Sequence, residues 1–177
     1  LFSVDGTTRT IRRAYDLLGR LTTLTYPDTE QALYTYNPHG GLETVTVQSP
    51  VSGLLSLVSD VSYNAAGQLT RLTLGNGTVS AYTYNPQTLR LDQLKTTGPS
   101  GPLQDFSYSF DPVGNVTGIT DRVHTGTQTF QYDSLHRLTQ GIGAYGTFSY
   151  AYDPIGNMTS KEGVTMTYGL ADGSQPH

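Results

Sequence analysis

The stretch FDPVGNVT, residues 110–117, recurs along the chain. YDLLGRLT begins at Tyr15, YNAAGQLT at Tyr63, YDSLHRLT at Tyr132 and YDPIGNMT at Tyr152, with looser copies YNPHGGLE at Tyr36 and YNPQTLRL at Tyr84. Each copy opens on an aromatic followed by Asp or Asn. Most then reach a Gly and close on a polar residue, an aliphatic and Thr. Seven copies in 177 residues make this a repeat array before anything else is asked of it. The motif aromatics lie 20 to 27 residues apart. That is too close for a propeller blade or a helical hairpin, which need roughly 33 to 50 residues, but enough for two strands and two turns.

The residues before each motif place an aromatic or apolar side chain at every second position: Tyr34 and Tyr36, Tyr82 and Tyr84, Phe106, Tyr108 and Phe110, Phe148, Tyr150 and Tyr152. Ser, Thr or Ala lies between them. A period of two is a strand with unlike faces; a helix would carry its Ser and Thr on the buried stripe. Within the motif, Asp16, Asn37, Asn64, Asn85, Asp111, Asp133 and Asp153 suit an Asx-turn. Pro38, Pro86, Pro112 and Pro154 suit the first central position, and Gly19, Gly40, Gly67, Gly114 and Gly156 a positive φ at the exit. His136 replaces that Gly and the Tyr84 copy is rearranged, so these two turns are expected to differ from the rest.

A second strand follows each turn, with aliphatics three apart: Leu21 and Leu24, Leu42 and Val45, Leu69 and Leu72, Val116 and Ile119. Strict alternation would place such pairs on opposite faces. A bulge or a twist at the strand's start would reconcile them, and the sequence leaves both open. The opposite turns vary. Residues 27–31 and Asn76-Gly77 read as short hairpin turns, whereas the Pro-, Gly- and Ser-rich segments around 49–55 and 96–104 read as insertions at hairpin tips.

Composition bounds the function. A net charge of −4 with 10 Lys plus Arg excludes a nucleic-acid backbone as partner, which needs clustered basic residues. Zero Cys excludes disulfides and Cys-held metals. No apolar run approaches the roughly 18 residues of a membrane helix. The chain lacks an initiator Met and starts amid repeat-like residues, so it reads as a piece of a longer array. The four His show no metal-ligand spacing. A calcium reading of the motif carboxylates fails on geometry: equivalent residues two strands apart sit about 9.6 Å from each other, and three of the seven are Asn. With no nucleophile motif and no phosphate loop, no catalytic residue, metal or cofactor is expected, and the chain is read as no enzyme. The residues singled out are structural: Tyr15, Asp16, Gly19, Tyr36, Asn37, Gly40, Tyr63, Asn64, Gly67, Tyr84, Asn85, Phe110, Asp111, Gly114, Tyr132, Asp133, Tyr152, Asp153 and Gly156. The Tyr stripe is read first as sheet packing, at roughly 0.2–1 kcal/mol per cross-strand pair, and second as a platform for sugar rings or a guest polypeptide.

YDLLGRLTTLTYPD at 15–28, FDPVGNVTGIT at 110–120 and YDPIGNMTSKEG at 152–163 resemble the YD repeats of Rhs proteins, which also occur in Tc-toxin cocoon components and teneurin ectodomains. The resemblance spans roughly Tyr15 to Tyr168. The 20-residue repeats of choline- and glucan-binding proteins share a Phe-Asp hairpin but depend on Trp, which is absent here. The Rhs resemblance implies a long sheet spiralling into a hollow barrel-like shell that, in bacteria, encloses a toxic polypeptide. The expectation is therefore an all-β antiparallel meander of about fourteen strands, with residues 1–177 a single array of about seven YD repeats and no internal domain boundary. Its implied role is a wall segment of an exported or cell-surface bacterial protein. The implied partners are the other repeats of its parent chain and an enclosed C-terminal toxin or other polypeptide. The competing expectation is a recognition module that binds glycans or a receptor through the Tyr face or the inserted loops. Exposed sheet edges would make the isolated piece prone to pair with other chains.

Overall fold

The computed structural model describes residues 2–4 and 7–168. They fall into two compact units, Leu1–Gln104 and Asp105–His177. In the first, β1 (Phe2–Val4) and β2 (Thr7–Arg9) form a small hairpin of their own. An antiparallel meander follows in chain order: β3 (Arg12–Tyr15), β4 (Leu21–Thr25), β5 (Gln31–Tyr36), β6 (Leu42–Ser49), β7 (Gly53–Tyr63), β8 (Leu69–Leu74), β9 (Val79–Tyr84) and β10 (Leu91–Gly98). The division between units lies inside β11 (Gly101–Phe110). From β11 the second unit repeats the plan through β12 (Val116–Asp121), β13 (Gly126–Tyr132), β14 (Leu138–Gly143), β15 (Gly146–Tyr152), β16 (Met158–Lys161) and the two-residue β17 (Val164–Thr165). The fold is all-β, an antiparallel meander of two-strand repeats, as the period of two predicts.

The register decides between bulge and twist. In all seven motif hairpins the aromatic pairs with the first residue of the next strand, one residue is skipped, and regular pairing resumes. Tyr15 faces Leu21 and Ala14 faces Thr23, leaving Thr22 as the extra residue of a β-bulge. The skipped residue is the motif Thr in five copies (Thr22, Thr70, Thr117, Thr139, Thr159) and Glu43 or Asp92 in the looser ones. The bulge shifts the parity of the second strand by one. Leu42 then pairs with Tyr36, and Val45 with Tyr34, so aliphatics three apart join the aromatics on one face.

Two expectations need correction. The segments around 49–55 and 96–104 are not inserted loops. β6 runs to Ser49 and β7 starts at Gly53, while β10 ends at Gly98 and β11 starts at Gly101. The extra residues lengthen the hairpin arms, β7 reaching eleven residues. A Pro and Gly cluster marked the tight turn correctly, but the β-branched and Leu residues around it went to strands. The His136 turn also matches its neighbours. The His136 amide donates to the Asp133 carbonyl at 3.0 Å, as Gly19 does to Asp16, and His136 adopts φ +62 against +75 for Gly19. Only the Tyr84 copy differs, its turn closing one residue later through Leu89 to Asn85 and Asn85 to Arg90, with Leu89 at φ +57. A left-handed non-Gly residue costs about 1–2 kcal/mol. His136→Gly should therefore raise stability by about 1 kcal/mol, less whatever the ring contributes through Asn115; comparing urea midpoints of the two proteins measures the net effect.

There is almost no core. Among the described residues only Ala32 and Val61 are buried hydrophobics, and no large side chain is fully enclosed. Strand aromatics are half-buried and the residues between them exposed, as in β13 and β15. The fold is held by ladders, corners and same-face neighbours rather than by a second layer.

Candidate functional site

The motif residues build one corner per repeat. At six corners the Asx carbonyl accepts the amide three residues on, at Asn85 the amide four on, and at all seven the Asx amide donates to the carbonyl that closes the turn. The Asx Oδ1 takes two more backbone amides: Leu18 and Arg20 on Asp16, His39 and Gly41 on Asn37, Ala66 and Gln68 on Asn64, Leu135 and Arg137 on Asp133, Ile155 and Asn157 on Asp153. Asp111 does the same with Gly114 and Asn115, and Asn85 with Gln87 and Thr88. Asp and Asn are interchangeable in this task because only one oxygen is used.

The remaining side-chain atom separates them. Asp16 Oδ2 and Asp133 Oδ2 accept the Nε of Arg20 and Arg137 at 2.7 Å. Asp111 Oδ2 and Asp153 Oδ2 accept the amide nitrogens of Asn115 and Asn157. At Asn64 the polarity reverses, and Nδ2 donates to Gln68 Oε1 at 2.9 Å. The residue four after the Asx thus matches it donor to acceptor. These interactions hold the aspartates below the usual carboxylate range. For Asp16 and Asp133 the largest cause is the backbone amide of Arg20 or Arg137. For Asp111 and Asp153 partial burial pushes upward but is outweighed by the Asn115 or Asn157 amides and neighbouring backbone amides.

The same fifth residue reaches the following corner. The Arg20 guanidinium lies over the Tyr36 ring and that of Arg137 over the Tyr152 ring, at 4.6 and 4.7 Å, close enough for a cation–π attraction. Arg137 Nη1 donates to the Asp153 carbonyl, Gln68 Nε2 to the Leu89 carbonyl, and Asn115 Nδ2 contacts His136 Nδ1 at 3.1 Å. A second link runs backwards. The hydroxyls of Tyr36, Tyr63, Tyr84, Tyr132 and Tyr152 donate to the carbonyls of Leu21, Leu42, Leu69, Val116 and Leu138, each the first residue of the preceding repeat's second strand. Partial burial pushes the Tyr84 and Tyr132 phenols up, with the Asp111 charge adding to the effect at Tyr132, so both stay protonated donors. Phe110 carries no hydroxyl for this role, and Tyr15 is largely exposed. The motif therefore staples repeat to repeat, a job the sequence reading did not assign to it. Tyr132→Phe removes one staple and leaves the Val116 carbonyl short of a donor. It should cost about 1 kcal/mol in denaturant unfolding without altering the circular dichroism.

Chemistry beyond stapling is sparse. Among the described residues no three His, Asp or Glu side chains converge as metal ligands, and no helix is long and apolar enough to cross a membrane. His124 pairs with Asp121 Oδ2 at 2.9 Å on an exposed turn.

This two-strand unit, with its bulge and aromatic corner, is matched by the RHS Repeat family over residues 63–103 and 110–147. It recurs in the crystal structure of TcdB2-TccC3 without its hypervariable C-terminal region, which is 26% identical over 94% of this chain and 10% of that one, with a TM-score of 0.80. Residues 63–103 and 110–147 are Rhs, or YD, repeats. The Rhs fold is shared with the Tc holotoxin pore structure from Photorhabdus luminescens, 27% identical over 85% of this chain and 9% of that one, with a TM-score of 0.77. No curated protein matches the chain. The Rhs segment spans about a tenth of the length of these structural neighbours.

Proposed function

We propose that the chain is a wall segment of a larger bacterial Rhs shell that is exported and encloses a toxin or another polypeptide, and that residues 1–177 form one continuous array within it. The observation that carries this reading is the missing core. A 177-residue chain whose only buried hydrophobics are Ala32 and Val61 among the described residues is built as a sheet whose faces await neighbours, not as a globule. The staples support it, because each repeat is completed by the next, and the division between compact units falls inside a strand rather than in a linker. The structural neighbours are Tc toxin assemblies, which favours an extracellular setting. The wall's partners are the other repeats of its parent chain and the enclosed polypeptide, and its own role is architectural rather than catalytic. Electron cryomicroscopy of the full-length parent tests this. A closed wall around density for a guest chain is the expected result; a parent in which these repeats line no interior would refute it.

A second reading, recognition of a glycan or receptor, is favoured by one feature. The lengthened β6–β7 hairpin exposes Val51, Leu54, Leu55 and Leu57, and an apolar cluster of this kind suits a protein-binding tip. Saturable binding of glycans or of a cell-surface receptor, lost when Leu54 and Leu55 become Ser, would favour it.

A further inference from the structure

The Asn37 corner lacks a connecting side chain. The residue four after the Asx is Arg20, Gln68, Asn115, Arg137 and Asn157 at five corners, Leu89 in the longer Asn85 turn, and Gly41 after Asn37. The Asn37 Oδ1 is occupied by the His39 and Gly41 amides, which fixes the orientation of the side-chain amide. Its Nδ2 has no partner among the described residues, whereas the equivalent atom of Asn64 donates to Gln68. Where that connecting side chain would run lies a half-open cavity of about 930 Å³, lined by Asn37, His39, Gly41, Val61, Tyr63 and Asn64 among others. A side chain at residue 41 would have to displace the Tyr63 ring to fill it, because a Cβ there would stand 2.8 Å from Tyr63 Cε2, inside van der Waals contact.

We infer that this cavity is a binding site for a neutral carboxamide carried by another molecule. The filled corners supply the pattern. At Asn64 the group seated there is the Gln68 amide, accepting from Nδ2 and donating to the Leu89 carbonyl one corner on. At Asp133 it is a guanidinium, donating to Oδ2 and to the Asp153 carbonyl. The Asn37 corner offers a donor, Nδ2, beside a neighbouring corner whose Asn64 carbonyl takes the Gly67 amide, as Asp153 takes Gly156 while also accepting Arg137. A donor on one side and a carbonyl on the other match an amide, C=O to Asn37 and N–H to Asn64, over the Tyr63 ring. A guanidinium has no acceptor to offer Nδ2. The ligand class is thus an amide side chain of a polypeptide or the acetamido group of an amino sugar, and the site stands whether or not the wall reading holds.

Titration of the 15N-labelled chain, followed through the Asn37 side-chain amide and the Gly41 and Tyr63 backbone resonances, tests the inference. Acetamide should give saturable shifts, and methylguanidinium should bind about tenfold more weakly, the worth of one mismatched hydrogen bond. Asn37→Asp keeps the turn, since four other corners use Asp there, and should reverse that order. The tighter binder of L-glutamine, with L-glutamate as control, and N-acetylglucosamine, with glucose as control, identifies the source. Absence of saturation by any amide, or an unchanged preference in the Asn37→Asp chain, would overturn the assignment.

Discussion

Gly75→Ala is expected to lower stability by at least about 2–3 kcal/mol. Gly75 opens the turn between β8 and β9, and its amide donates to the Leu57 carbonyl of β7 at 3.0 Å. A Cβ on Gly75 would lie 1.7 Å from the Ser56 carbonyl oxygen and 2.5 Å from its carbon. Both are backbone atoms, so no rotamer change relieves the clash; β7 must part from the turn. Gly77, two residues on, is the useful contrast. It has φ +83 and its nearest neighbour is Pro99 at 3.6 Å, so Gly77→Ala meets only the left-handed backbone cost of about 1–2 kcal/mol. Urea midpoints of the two variants should rank Gly75→Ala well below Gly77→Ala. The reverse ranking would show that β7 does not pass this close to the turn.

Acid should open the two units unequally. Asp16, Asp111, Asp121, Asp133 and Asp153 all have folded values below the model-peptide 3.8. A depressed carboxylate contributes stability that is fully present above its unfolded value and is lost as pH falls through the lower folded one. The first unit contains one of these groups, because its other three corners use Asn37, Asn64 and Asn85, which do not titrate. The second contains four. Below the ordinary aspartate range, backbone amide resonances of Asn115, Arg137 and Asn157 should therefore lose their native positions before those of Gly41 and Gln68. Simultaneous loss in both units would mean that the corner carboxylates do not govern acid unfolding.

The repeat, the strand type and the corner were legible because they depend on periodicity and on turn residues with one physical use each. The bulge was half legible. Aliphatics three apart required something to change parity, but only the pairing of Tyr15 with Leu21 and Ala14 with Thr23 shows which residue is skipped. His136 misled because its turn position rewards Gly without demanding it; surrounding hydrogen bonds over-determine the left-handed backbone there. The hairpin arms misled because Pro and Gly mark where a chain turns, not how far its strands extend. The linking residues were hardest to see. Arg, Gln and Asn at the same position look like variation until the Asp or Asn four residues earlier is read with them. Gly41 then stands out as a gap.

The tyrosine staples all point one way: each hydroxyl reaches back to a strand made earlier in the sequence, across 14 to 21 residues. Strand pairing is equally short-range, each strand bonding its sequence neighbours within a unit. β proteins usually fold slowly because distant segments must find each other. This chain asks for no such search. As it leaves the ribosome, each emerging corner that carries a stapling Tyr can lock the repeat just ahead of it, so growth of the sheet can keep pace with synthesis one hairpin at a time. At the growing end, the exposed ladder is then confined to the newest strand.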